Sequence, residues 1–363
     1  MMKKVLSMLS IVLMIAVFGV GCSKKSENQP ETNNQPVAED QVGATNEEDS
    51  TEEATVTEEA QPQEKVTINV ASLKGPTSLG LLQMMSESDS DTLQNDYHFE
   101  IFQAADEILT KVVKGEVDIA LVPANVAATL YQKTSNQIQV IDINTLGVLY
   151  AVEHGDSIQT VADLAGKTIC MTGKGQVPEY ALSYILSQNG LSMDDVTVEF
   201  KSEPAEVIAF LSAKEDAVGI LPQPFVASAT MQDTTLRVAL DLTEQWNLVD
   251  TDSTLITGVT IVKKDFLDQN KAAIDQFLVE HAASVEYANT NVEETATLAE
   301  TYGIVKAAVA KNAIPNCNIV SITGEEMQTK LSGYLKTLFD ANADAVGGTL
   351  PDEGFYYTDN SQQ

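Results

Sequence analysis

Short apolar runs alternate with stretches of helical periodicity along most of the chain. In the first part of this pattern, apolar and helix-like stretches follow each other at 66–73, 79–85, 98–103, 105–114, 117–122 and 126–131. Such alternation predicts parallel strands joined by crossover helices. Ligands of such α/β domains bind outside the carboxyl ends of the strands, so the loops after the strands are the first candidates for a site.

The pattern then repeats. The stretches "VDIALVPAN" at 117–125 and "EDAVGILPQP" at 215–224 each run from an aspartate through a short apolar strand into a proline turn. A second series of strands and helices lies at 168–171, 178–188, 196–200, 205–213 and 216–221. Two copies of one plan predict two α/β lobes, each a mostly parallel sheet flanked by helices, with a ligand cleft between their matching loop edges.

The chain should cross twice between these lobes. Residues 147–153 read as the strand that leaves the first lobe, and residues 254–263 as the strand that returns to it. We expect hinge bending at 147–153 and at Gly258. The predicted divisions are a first lobe at 65–150, a second lobe at 151–254, and a return strand with C-terminal helices of the first lobe at 255–363.

The beginning of the chain reads as a secretion signal at 1–21. Lys3 and Lys4 precede an apolar run at 11–20 that is too short to span a bilayer comfortably. Cys22 follows directly, which resembles the lipobox of bacterial lipoproteins, where that cysteine is lipidated. Gly19 departs from the Leu or Val usual at its position, and an ordinary secretory signal remains the alternative.

Residues 22–64 form the next predicted segment. From Ser26 to Glu64 the chain carries twelve acidic residues, no basic residue and no aromatic residue. Such a composition cannot bury enough apolar surface to offset its ordering entropy. We expect a disordered acidic tether between the lipidated cysteine and the folded part, kept extended by its own charge.

Charge excludes one class of partner. From residue 65 onward, 41 acidic residues stand against 17 basic residues, a net charge of −24, and Arg237 is the single arginine of the chain. Nucleic acid is therefore not an expected partner.

Cys170 and Cys317 are predicted as two buried free thiols, with one disulfide as the alternative. The three histidines have no metal-ligand spacing, so neither a metal nor a cofactor is predicted.

Loops from both lobes supply the candidate ligand-binding residues. The first lobe contributes Lys74, Gly75, Pro76, Thr77, Ser78, Pro123, Ala124 and Asn125, and the second contributes Thr172, Gly173, Lys174, Gly175, Gln176, Gln223 and Pro224. Glycines let the backbone approach a ligand, and hydroxyls beside free helix N–H groups can hold its oxygens. The alternatives are solvated turn lysines, and helix caps at Thr77 and Ser78 that stabilise by about 1 kcal/mol each.

Aromatic side chains could stack on a flat ligand. Tyr150 is included in the predicted site, and Tyr180, Phe225 and Trp246 are further candidates. Core packing is the alternative role for each of them.

Several stretches together resemble one protein family. They are "ADLAGKTI" at 162–169, "GKGQVPEYALSYIL" at 173–186, "AVGILPQPFVASA" at 217–229 and "IPNCNIVSITGEEM" at 314–327. They resemble the substrate-binding proteins of bacterial ABC importers, in the group for nitrate, sulfonate, taurine and thiamine precursors. The resemblance implies a type II periplasmic-binding-protein fold that closes on a small molecule and delivers it to permease and ATPase subunits.

The resemblance also implies a lipid-anchored monomer on the outer face of the cell membrane. Its ligand would be a sulfonate- or nitrate-type anion or a thiamine-precursor pyrimidine, although no arginine lies near a predicted cleft loop. The alternatives are an enzyme of cofactor metabolism on the same fold, for which Cys170 is the only thiol near a cleft loop, and a ligand sensor that contacts a receptor.

Overall fold

The structure of the protein, a computed structural model, describes residues 65–358. The predicted signal peptide, Cys22 and the acidic tether lie outside the described residues. Within 65–358 no helix is both long enough and apolar enough to cross a membrane.

Strands and helices alternate through the described chain. The strands are β1 (Thr67–Leu73), β2 (Asp96–Phe102), β3 (Ile119–Pro123), β4 (Ile138–Leu146), β5 (Leu149–His154), β6 (Thr168–Thr172), β7 (Thr197–Lys201), β8 (Val218–Pro222), β9 (Leu236–Asp241), β10 (Ile256–Lys263) and β11 (Ile319–Ile322). The helices of the first half are α1 (Pro76–Leu79), α2 (Leu82–Asp89), α3 (Ala105–Lys114), α4 (Ala124–Lys133), α5 (Val177–Gln188) and α6 (Pro204–Ala213). Those of the second half are α7 (Phe225–Gln232), α8 (Leu242–Val249), α9 (Lys264–Gln269), α10 (Lys271–Thr290), α11 (Val292–Thr301), α12 (Ala307–Ala313) and α13 (Gly324–Ala341). Short 3₁₀ helices lie at Val161–Leu164, Met193–Asp195, Ile314–Asn316, Ala343–Val346 and Glu353–Phe355.

Helix α3 illustrates how local sequence sets these bounds. Asp106 and Glu107 lie in its first turn and Lys111 and Lys114 in its last, which complements the helix dipole at both ends. Gly115 follows with a φ of 77°, the left-handed conformation that commonly ends a helix. The helix therefore ends where the sequence supplies a glycine.

Two sheets form the centre of the molecule, one in each lobe. The first has the strand order β11-β4-β10-β3-β1-β2 and the second the order β7-β6-β8-β5-β9. The pairings β1–β2, β1–β3, β6–β7 and β6–β8 are parallel, as the alternating pattern predicts. Strands β5, β10 and β11 run against the common direction of their sheets.

The reversed directions of β5 and β10 follow from the crossings between the lobes. Strand β4 ends at Leu146 in the first sheet, and β5 begins at Leu149 in the second, where it pairs with β8 and β9. A strand that enters a sheet from the cleft edge must run away from that edge, opposite to strands that end there. The same holds for β10, which returns to the first sheet between β3 and β4.

The C-terminal segment closes over the core of the first lobe. The rings of Phe355 and Tyr131 lie 5.0 Å apart between centroids, and Phe355 is fully buried. Tyr356 forms an isolated bridge to Val140 on β4. This segment thereby covers α4 and the edge of β4.

Candidate ligand-binding cleft

Four strand ends face one another where the lobes meet. In the first lobe β1 leads into α1 and β3 leads directly into α4, and in the second β6 leads into α5 and β8 into α7. Residues of these loops line two cavities that each draw on both lobes.

The hinge cavity has a volume of about 200 Å³. It is lined by Pro123, Asn125, Val148, Leu149, Val177, Pro178, Leu255, Ile256, Thr257 and Tyr334. Both crossings between the lobes contribute, through Val148–Leu149 and Leu255–Thr257. A molecule held here would touch both lobes and both hinge segments.

The front cavity is smaller, about 30 Å³, and apolar. It is lined by Gly75, Pro76, Leu79, Pro224, Ile304, Val305, Ala310, Ala313 and Cys317. The structure thus brings the β1–α1 loop to Pro224, and in the hinge cavity it brings Pro123 and Asn125 to the start of α5.

The two hydroxyls of the β1–α1 loop are used within the loop. Thr77 Oγ1 and Ser78 Oγ both donate to the carbonyl of Leu73, at 2.8 and 2.7 Å. Gly75 is the N-cap residue of α1 and no side chain caps the helix, so the alternative of capping by these hydroxyls is wrong. Gly75 has a φ of 138° and faces open space, whereas Thr77 and Ser78 are buried.

The second-lobe loop at 172–176 is closed by its own helix. Glu179, in the first turn of α5, accepts a hydrogen bond from the Gly175 N–H. The Tyr180 hydroxyl donates to the Gly175 carbonyl at 2.7 Å and accepts from Asn342 Nδ2 of the first lobe at 2.9 Å. Lys174 lies 5.7 Å from the centre of the Phe200 ring. The chain's own carboxylate is therefore bonded to a loop N–H just before α5 and places a negative charge beside the start of this helix.

Gln223 and Tyr150 are buried and bonded to the chain. The Gln223 N–H donates to the Val148 carbonyl at 3.0 Å, and its side-chain oxygen accepts from the Ala227 N–H at 3.3 Å. The Tyr150 hydroxyl donates to the Asn316 carbonyl at 2.7 Å, and burial raises the pKa of this tyrosine. Both residues tie the second lobe to segments at its border with the first.

The remaining predicted residues differ in exposure. Lys74, Lys174, Gly175 and Gln176 are exposed, Thr172 and Gly173 are half-buried, and Ala124 is buried at the start of α4. Among the further aromatics, Trp246 is fully buried and donates to Ser253 Oγ at 2.8 Å, which confirms its core alternative.

Thr257 and Tyr334 line the hinge cavity and were missed by sequence reasoning. Thr257 lies one residue before Gly258, and only the position of that glycine on a crossing strand could have drawn attention to it. Tyr334 lies in the amphipathic pattern of α13, where nothing distinguishes it from a core residue. Side chains reach a cleft from distant helices through tertiary packing, which spacing alone does not encode.

Arg237, Cys170 and Cys317 are not among the residues that line the hinge cavity. Arg237 donates to the carboxylate of Glu153 and to the carbonyls of Gly155 and Ile158, at the far end of β5. Cys170 and Cys317 are free and buried, as predicted. Within 65–358 no group of three or more His, Cys, Asp or Glu side chains could hold a metal ion.

Comparison with known proteins assigns the chain to a family. A family model described as NMT1/THI5-like matches residues 99–295. No curated protein matches the chain. An ABC transporter protein from Parabacteroides distasonis is 24% identical, with a TM-score of 0.69 over 81% of this chain and 99% of that one.

Two further solved structures share the fold. The periplasmic aliphatic sulphonate binding protein SsuA from Escherichia coli is 16% identical, with a TM-score of 0.62 over 82% of this chain and 94% of that one. The periplasmic nitrate-binding protein NrtA from Synechocystis PCC 6803 is 13% identical, with a TM-score of 0.51 over 78% and 84%. The fold is that of these two-lobed proteins, and the resemblance found in the sequence is confirmed. Because the family model spans more than half of its residues, the chain belongs to the NMT1/THI5-like family.

Proposed function

We propose that the protein is the extracytoplasmic solute-binding component of an ABC importer. The observation that carries this proposal is the hinge cavity, which is lined by both lobes and by both crossing segments. The names of the E. coli and Synechocystis structures, which describe binding proteins for aliphatic sulphonates and nitrate, support it. The ligand classes proposed from the family are a sulfonate- or nitrate-type anion and a thiamine-precursor pyrimidine.

The proposed mechanism is hinge closure. A solute that contacts both lobes stabilises the closed form over the open form, and the closed form is what permease and ATPase subunits would recognise. The first crossing packs closely on the second at Gly147, because an added Cβ there would clash with Thr243 Oγ1 and would lie 2.6 Å from Leu255 of the second crossing. The two crossings therefore pack against each other without room for a side chain.

The proposed ligand contacts follow the cavities. Of the residues predicted from the sequence, Gly75, Pro76, Pro123, Asn125 and Pro224 line a cavity. We propose the others as supports of the cleft loops or as contacts made in another conformation: Lys74, Thr77, Ser78, Ala124, Tyr150, Thr172, Gly173, Lys174, Gly175, Gln176 and Gln223.

Attachment to the membrane is a separate proposal. We propose a signal peptide at 1–21, a lipidated Cys22 and an acidic tether to residue 64, with a monomeric two-lobed part divided near residues 150 and 254. Metabolic labelling with an alkyne fatty acid is expected to mark the protein in bacterial cells, and the Cys22→Ser variant is expected to lose the label and leave the membrane fraction. A label that persists in that variant would contradict anchoring at Cys22.

The enzyme alternative receives no support from Cys170. This thiol is fully buried on β6, and desolvation raises its pKa, so little reactive thiolate forms near neutral pH. Solute binding remains the function that the cavity supports best.

The test of solute binding uses a small-molecule extract of bacterial cells and rich medium. The extract is expected to raise the unfolding temperature and to lower the radius of gyration measured by small-angle X-ray scattering. A bound solute at about 100 times its dissociation constant adds about 2.7 kcal/mol to the free energy of unfolding. If the extract changes neither the unfolding temperature nor the radius of gyration, the proposed function is contradicted.

A further inference from the structure

The polar groups of the hinge cavity are all uncharged. Asn125 and Thr257 are half-buried in its lining, and neither side chain forms a hydrogen bond with the rest of the described chain. No charged side chain lies among the residues that line this cavity within 65–358. An amide and a hydroxyl are thus free to bind a solute.

Tyr334 adds a third such group. Its side chain is only 1% exposed, yet its hydroxyl has no hydrogen-bond partner among the described residues. Because Tyr334 lines the cavity, a solute held there could accept or donate a hydrogen bond at this hydroxyl.

Neighbouring rings hold Tyr334 in place. The Trp246 ring lies 5.8 Å from the Tyr334 ring and 4.2 Å from the Tyr184 ring, between centroids. The indole N–H of Trp246 is satisfied by Ser253, and the Tyr184 hydroxyl donates to Asp250 at 2.9 Å. Of these three aromatics, Tyr334 alone lines the cavity.

No described residue that lines this cavity supplies a counter-charge for an anion. Arg237 is bonded to Glu153 away from the cleft, and Lys174 lies against Phe200. Glu179, in the first turn of α5, is bonded to the Gly175 N–H of the preceding loop and adds a negative charge near Val177 of the cavity lining. Burying an unpaired charge is much more costly than burying a hydrogen-bonded neutral group.

We propose that the hinge cavity selects an uncharged solute of about one ring in size, bound by Asn125, Thr257 and Tyr334, and excludes sulfonates and nitrate. The volume of about 200 Å³ fits this size, since a cavity of about 150 Å³ holds a benzene molecule. This inference rests on the proposed solute-binding function and names the chemical class of its ligand.

The experiment fractionates the same extract by charge. Passage over a strong anion exchanger and then a strong cation exchanger separates an anionic, a cationic and an uncharged fraction. Ethanesulfonate and nitrate serve as defined anionic probes. We expect the uncharged fraction alone to raise the unfolding temperature of the full protein.

The outcomes separate this inference from the proposed function. Stabilisation by the anionic fraction, by ethanesulfonate or by nitrate would overturn the uncharged class while leaving solute binding intact. Stabilisation by the cationic fraction alone would also overturn the uncharged class and leave solute binding intact. If neither the whole extract nor any fraction stabilises the protein, solute binding itself fails and this inference fails with it.

A pair of tyrosine variants tests the site. Tyr334→Phe removes a hydroxyl that has no partner in the described chain, so the unfolding temperature without extract should not fall, while affinity for the stabilising solute should weaken roughly tenfold. Tyr302→Phe is the matched control, because its hydroxyl donates to Asp89 at 2.6 Å outside the cavity. It should leave the affinity unchanged. Equal affinity in Tyr334→Phe and the unaltered protein would overturn the role of the Tyr334 hydroxyl.

Discussion

A fully buried hydrogen bond joins His281 of α10 to Asp142 of β4. The distance between His281 Nδ1 and Asp142 Oδ2 is 2.7 Å, and both side chains have no exposed surface. The second oxygen of Asp142 and Nε2 of His281 have no partner among the described residues. Each group therefore depends on the other for its only hydrogen bond, and the pair fixes α10 to the first sheet.

Removing one member of this pair should be severely destabilising. We expect Asp142→Ala to lower the free energy of unfolding by about 3 kcal/mol, because it leaves a buried imidazole without a partner. Denaturation in urea measures the change. His98→Ala is the matched control, since His98 lies 3.6 Å from Asp96 in an exposed pair and should cost less than about 1 kcal/mol. Similar losses in both variants would contradict this role of burial.

Glu153 should make the stability depend on pH. Burial by itself would raise the pKa of Glu153, but hydrogen bonds from Ser157 and the Ile158 N–H, with the charge of Arg237, hold that pKa below its usual value. A lowered pKa in the folded state gives stability that is complete above the unfolded pKa of about 4.3 and is lost as the pH falls through the folded value. The difference in unfolding free energy between the unaltered protein and Glu153→Gln should therefore shrink between pH 6 and pH 3. A difference that stays constant over that range would refute the assignment.

At the level of elements, the strands that are easiest to predict from the sequence are short strands buried on both faces. Strands β1, β3, β6 and β8 are short apolar runs bounded by turn residues, and their pattern is plain in the sequence. Strand β4 was missed because its two buried faces carry Asp142, Asn144 and Thr145, which interrupt the apolar run. In the fold these polar residues form hydrogen bonds: Thr145 with Asn144, Asn144 with Thr260 of β10, and Asp142 with His281 of α10.

In the candidate site, too, some features could be predicted from the sequence and others could not. The loops at strand ends were predictable, because parallel strands place their carboxyl ends on one edge. Tyr334 was not, because it comes from α13, a helix far along the chain from the loops it meets. The internal use of Thr77 and Ser78 was equally hidden, since a hydroxyl after a strand can face a ligand or its own backbone.

Strand β10 should tolerate no side chain at Gly258. A Cβ added there would lie 2.5 Å from Asn144 Oδ1 and 2.5 Å from Thr77 Cγ2, so strand and α1 would have to separate. We expect Gly258→Ala to lower the free energy of unfolding by about 1–3 kcal/mol. Adding Thr77→Ser, which removes the Cγ2 methyl, should recover part of this loss. If the double variant is no more stable than Gly258→Ala in urea denaturation, the contact with Thr77 is not the cause.

At the scale of the whole molecule, the two lobes touch on both sides of the cleft. Helix α13 of the first lobe packs against α5 of the second, and α12 packs against α7. The hydrogen bond from Asn342 to the Tyr180 hydroxyl belongs to the first of these contacts, and the Tyr180 hydroxyl also holds the Gly175 carbonyl. The Tyr180 side chain thereby links the loop at 172–176 of the second lobe to the first lobe.

Loss of this hydroxyl should therefore open the protein. In Tyr180→Phe the ring packing remains, but the bond between lobes, with a net contribution of about 0.5–1.5 kcal/mol, is lost. We expect a larger radius of gyration without solute and a several-fold weaker response to the stabilising extract fraction, because part of the binding energy must then restore closure. Tyr184→Phe is the control, since its hydroxyl bonds to Asp250 within the second lobe. If both variants scatter X-rays alike and respond alike, the Tyr180 bond does not hold the lobes together, and closure rests on other contacts such as those of α12 with α7 and of Tyr150 with Asn316.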